Sequence, residues 1–93
     1  MNQKIHQHKN ELLLYRRRMG FSQKQVARLL GHRDTSMLSR YEHGHSLPPL
    51  LIALELEIIY RAPVAFLYVS LYKQLKDQIR SMEQPQPRQL TLF

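Results

Sequence analysis

Apolar and polar positions recur along this chain with a helical period rather than the two-residue alternation of strands. Val26, Leu29 and Leu30 share one face of a short segment opened by Ser22. Leu38 and Tyr41, three apart, point inward together from the segment after it. Ser22 is placed to cap the first turn, Gln25 to reach back to the Ser22 amide, and Phe21 and Val26 to staple the entry. Ala27 is small enough to let the two segments pack closely. Gly31 closes the first, because a left-handed residue is least costly as glycine. Asp34, Thr35 and Ser36 are all good caps for the second. Its opposite face then carries Ser36, Ser39, Arg40 and His43. A helix so short and so poor in apolar residues does not stand alone. Its outer face is therefore left for another use, and its polarity suits a base edge or a phosphate.

The same periodicity predicts three more helices. One runs from about Lys9 to Met19, with Leu12, Leu13 and Met19 as its stripe, Tyr15 at the edge, and Arg16, Arg17 and Arg18 near its C-terminal end, where cations complement the helix dipole. Another spans Leu50 to Tyr60 after the turn His45–Pro49. Apart from Glu55 and Glu57 it is apolar almost all round, which predicts a core helix buried on more than one side, with a spare face for a second subunit. The last spans about Pro63 to Met82. Leu71, Leu75, Ile79 and Met82 form a stripe that either folds back on its own domain or, the sharper reading, pairs with a second copy. The expected fold class is all-α, a five-helix domain. Residues 1–8 are expected to be disordered, 9–69 to form the domain, 70–83 a C-terminal helix extension, and 84–93 a linker and tail, because alternating proline in Gln84–Arg88 prevents helix or sheet.

Composition narrows the function. The chain has 93 residues and a net charge of +7, with a pI near 10.2, a balance that favours a polyanionic partner. A core this thin leans on a partner subunit. There is no cysteine, so no disulfide or thiolate metal site is expected, and a reducing compartment fits. His6 and His8 alternate without carboxylate or thiolate company, which favours solvated chain over a metal site. No signal peptide or membrane span is expected, since residues 1–11 are polar and the apolar run Leu50–Ile59 is short and interrupted by Glu55 and Glu57. No glycine-rich phosphate loop, metal constellation or nucleophile with a neighbouring base stands out, so neither an enzyme nor a cofactor is expected.

Ser22-Gln23, Val26-Ala27 and Leu30-Gly31, followed by Leu38-Ser39-Arg40-Tyr41-Glu42 and Gly44, resemble the Cro/phage-repressor type of helix-turn-helix, also called the xenobiotic-response-element family. The resemblance covers about residues 10 to 67. The turn His32-Arg33-Asp34 is one residue longer than usual. The resemblance implies a sequence-specific, dimeric regulator of transcription, a repressor by type, with double-stranded DNA as partner and a bacterial or phage, nucleoid-associated, cytoplasmic setting. It places Thr35, Ser36, Ser39 and Arg40 at base edges, and Gln23 and His43 at phosphates. Arg33 in the longer turn adds a backbone contact. Lys24 is assigned with the phosphate contacts, although Lys24 and Arg28 are equally open to being merely solvated. An arginine and a glutamate at the positions of Arg16 and Glu42 pair in this family, and the same structural ion pair is expected here.

The ending Gln89-Leu90-Thr91-Leu92-Phe93 resembles the peptide with which bacterial replication and repair proteins hold the sliding clamp. That resemblance assigns Gln89 to the rim of an apolar pocket and Leu92 and Phe93 to its interior, with Leu90 matching as well. The alternatives are a strand that tucks onto a partner subunit and a degradation signal. A chain of this kind also fits the antitoxin of a toxin–antitoxin pair, with the last helix or the tail covering a toxin.

Overall fold

The computed structural model describes residues 8–83. They form six helices: α1 (Leu12–Met19), α2 (Gln23–Leu29), α3 (Ser36–Glu42), α4 (Leu50–Tyr60), α5 (Val64–Leu67) and α6 (Val69–Glu83). There is no strand among the described residues.

Capping explains most of the boundaries. At α2 both halves of the capping box are made. The Gln25 amide donates to Ser22 Oγ at 3.0 Å and the Ser22 amide to Gln25 Oε1 at 2.8 Å. At α3 the N-cap is Thr35, which makes no side-chain capping bond; instead Asp34 Oδ1, one residue earlier, accepts from the Ser36 amide at 2.9 Å. The first helix begins at Leu12 rather than Lys9, because Asn10 stops the chain from extending it backwards. Its Oδ1 accepts from the Leu12 amide at 3.0 Å, while its Nδ2 donates to the carbonyls of His8 and Tyr41 at 2.8 and 2.9 Å. His8 and Asn10 are thus anchored to the end of α3. The His8 amide also donates to Gly44 O at 2.8 Å. That approach requires glycine. Gly44 has φ +78, and a Cβ there would lie 2.9 Å from the His8 nitrogen.

The core gathers Leu12, Val26, Leu30, Leu38, Tyr41, Leu56, Tyr60, Ala62, Leu67 and Tyr68. Each large member stabilises the fold by roughly 1.5–3 kcal/mol on burial. Tyr15, Met19, Phe21 and Leu71 pack against its edge, whereas Leu13, expected on the α1 stripe, is exposed. The hydroxyls of Tyr60 and Tyr68 are enclosed without a partner among the described residues. Burial pushes the Tyr68 hydroxyl up to about 12 and that of Tyr60 higher still.

Two expectations about the second half are corrected. The helix Leu50–Tyr60 forms with those bounds, but only Leu56 and Tyr60 are buried. Leu50, Leu51 and Ile58 are 72%, 75% and 73% exposed, so the helix contributes one face to the core, not several. The expected single helix over Pro63–Met82 is two. Arg61, with φ 56, turns the chain out of α4. Glu57 then reaches across this turn, its Oε1 accepting from the Val64 amide at 2.9 Å at the start of α5. Tyr68, at φ −122 and ψ 50, breaks the helix between α5 and α6. The break lets the consecutive residues Leu67 and Tyr68 both bury, which one continuous helix edge disfavours. No residue of α6 is buried. Beyond half-buried Leu71 its stripe does not fold back on the domain, since Leu75, Ile79 and Met82 are 47%, 53% and 86% exposed.

Candidate nucleic-acid interface

The inner face of α3 fixes its orientation. Leu38 and Tyr41 are buried, and Ser36, Arg40 and His43 are exposed on the other side, with Thr35 and Ser39 half-buried beside them. Two side chains on that outer face are tethered. Arg40 Nε donates to Ser46 Oγ at 3.1 Å, and the terminal nitrogens of the guanidinium have no hydrogen-bond partner among the described residues. His43 Nδ1 lies 2.8 Å from Ser39 O. A carbonyl only accepts, so Nδ1 carries the hydrogen and Nε2 is the nitrogen left to solvent or a ligand. The His43 ring stacks on His45 with centroids 6.0 Å apart.

The C-terminal end of α3 is bound to both preceding helices through Glu42. Arg16 Nε donates to Glu42 Oε2 at 2.6 Å and an Arg16 terminal nitrogen to Oε1 at 3.1 Å. Gln23 Nε2 donates to the same Oε1 at 2.9 Å. The other terminal nitrogen of Arg16 donates to Phe21 O at 3.1 Å. The two charged side chains are 13% and 5% exposed. The hydrogen bond to Glu42, with its charge, raises the Arg16 guanidinium against the opposing effect of burial. Gln23, expected at a phosphate, thus has one amide hydrogen committed inside the protein. Its second amide hydrogen and its oxygen have no partner among the described residues.

Lys24 and Arg28 on α2, and Arg33 in the turn before α3, are exposed. None of them pairs with a carboxylate among the described residues, where the ion pairs are Arg16–Glu42, Lys73–Asp77 and Arg80–Glu83. Sequence reasoning missed three polar groups that set this geometry: Asn10, Ser46 and Glu57. Asn10 carried a readable signal, since asparagine just before an apolar run is a cap. Ser46 and Glu57 carried none, because their partners lie in other elements. The assigned tail residues Gln89, Leu90, Leu92 and Phe93 lie outside the described residues, as does His6. Among the described residues no group of three or more His, Cys, Asp or Glu is placed to hold a metal ion. No helix there is long and apolar enough to cross a membrane.

A short helix pinned by its inner face and one end, packed on a second helix across a sharp turn and polar outside, defines a DNA-binding helix-turn-helix domain. The chain belongs to the helix-turn-helix family: the family model matches residues 12–67, the span from the first residue of α1 to the last of α5. Domains of this family bind DNA, act in transcription regulation and are generally non-catalytic. Comparison with curated proteins and with solved structures finds no match.

Proposed function

We propose that the protein is a sequence-specific regulator of transcription, a repressor by type, that binds double-stranded DNA as a homodimer with α3 in the major groove. The groove is wide enough for a helix. The observation that carries this reading is the division of α3 into a buried face, Leu38 and Tyr41, and an outer face that offers polar groups and no ion pair among the described residues. Thr35, Ser36, Ser39 and Arg40 take base edges. Arg40, steered by Ser46, forks onto guanine, a contact worth ~1–3 kcal/mol of discrimination. Gln23, Lys24, Arg33 and His43 take phosphates. Two subunits then read a near-palindrome whose half-sites lie about 34 Å apart. The test compares Arg40→Ala with the parent on selected and random duplexes. Loss on the selected duplex alone supports the base contact, and equal loss on both removes it.

A second reading rests on the last five residues. Gln89, Leu90, Leu92 and Phe93 resemble the clamp-binding peptide, and this resemblance supports the proposal of a DNA-bound regulator that also recruits the sliding clamp. A peptide of residues 84–93 is expected to bind purified clamp and to lose it on Leu92→Ala with Phe93→Ala. A peptide with no affinity for clamp ends this reading.

A further inference from the structure

Two helices carry apolar faces that their own chain leaves open. On α4, Leu50, Leu51, Leu54 and Ile58 fall on one side of the helix, and all four are exposed. On α6, Tyr72, Leu75, Ile79 and Met82 form a second exposed stripe. Contiguous apolar side chains in such number mark a contact site. The stripes are alike in length, Leu50 to Ile58 spanning about 12 Å and Tyr72 to Met82 about 15 Å at 1.5 Å per residue. They are unlike in charge. The ionised residues of α4 are Glu55 and Glu57, a charge of −2, whereas α6 carries Lys73, Lys76 and Arg80 against Asp77 and Glu83, a charge of +1. Glu57 is engaged by the Val64 amide, Lys73 pairs with Asp77, and Arg80 with Glu83. That leaves Glu55 and Lys76, both exposed and without an ionic partner among the described residues. They hold the same place on their stripes. Glu55 lies four residues after Leu51 and three before Ile58, and Lys76 lies four after Tyr72 and three before Ile79.

We propose that the α4 face receives the α6 stripe of a second copy of this chain, with Glu55 beside Lys76 of that copy. The inference rests on the homodimer reading above and adds which surfaces meet. Within one chain the two stripes do not cover each other, since both stay exposed. Pairing α6 with its own counterpart brings two helices of like net charge together and leaves the α4 leucines in water. Setting α6 on α4 joins opposite charges and covers both stripes. The contact is also self-complementary. A two-fold axis makes it twice, so each copy commits both stripes, and the assembly closes as a dimer.

The chain has no cysteine, so introduced cysteines report contacts without background. Full chains carrying Leu51→Cys, Leu54→Cys or Ile58→Cys are each co-expressed with a size-tagged chain carrying Leu75→Cys or Ile79→Cys, all at exposed positions. The purified protein is then oxidised. At least one α4–α6 combination is expected to give a disulfide between tagged and untagged chains. Sedimentation equilibrium of charge variants accompanies it. Glu55→Lys and Lys76→Glu each weaken the dimer by roughly fivefold, and both changes in one chain restore it. Cross-links only between like α6 variants, only between like α4 variants, or none at all in a dimeric protein overturn the proposal and leave the homodimer standing. A combined charge variant no tighter than either single one does the same. A parent that sediments as a monomer at every concentration ends the homodimer reading and this inference with it.

Discussion

At residue scale the weight falls on Glu42. It accepts hydrogen bonds from Arg16 and Gln23 and so joins α1 and α2 to the last residue of α3. Glu42→Gln keeps the shape but removes the charge opposite a guanidinium that is 13% exposed. We expect a loss of about 3 kcal/mol, as for breaking a buried pair from one side, read as a melting temperature lower by roughly 10 °C or more. An unchanged melt would show that the pair holds nothing together. Replacing both partners, Arg16→Met with Glu42→Leu, should recover much of the loss, because no charge is then stranded. The Arg16–Glu42 pairing was readable through the family resemblance. The Gln23 bond was not, because nothing in a sequence tells whether an amide 19 positions from a carboxylate faces it or faces solvent.

At the scale of elements, periodicity located the helices well and their partners poorly. The capping box of α2 and both bounds of α4 were legible because each depends on adjacent residues. The break at Tyr68 was not, since no glycine or proline marks it; tertiary burial of Leu67 and Tyr68 decides it. Nor does periodicity say which apolar face finds cover. That gap matters most for α6, an amphipathic helix of 15 residues, about 22 Å long at 1.5 Å per residue. Tyr72, Leu75, Ile79 and Met82 follow one another at three, four and three, the spacing of a helix that pairs with another. All four are exposed. We propose that this stripe joins two copies. Leu75→Lys with Ile79→Lys is expected to shift the protein from dimer to monomer in sedimentation equilibrium, with an unchanged far-ultraviolet spectrum per chain. A parent that sediments as a monomer, or a variant that stays dimeric, contradicts the assignment.

At the scale of the molecule, charge and shape fit the proposed use. A net charge of +7 supplies attraction to any polyanion, and the described chain is elongated, 57 Å along its longest axis. Attraction alone reads no sequence. The reading is assigned to the outer face of α3, and two such faces give a symmetric site only if the chain pairs. Selection of bound sequences from a random duplex pool, run side by side with the parent and Arg40→Ala, measures this most directly. The parent is expected to yield a two-fold symmetric motif, with half-sites about one helical turn apart, and Arg40→Ala to lose a guanine preference at matching positions in both halves. A pool that emerges unenriched at low salt, or one whose motif is indifferent to Arg40→Ala, would contradict it.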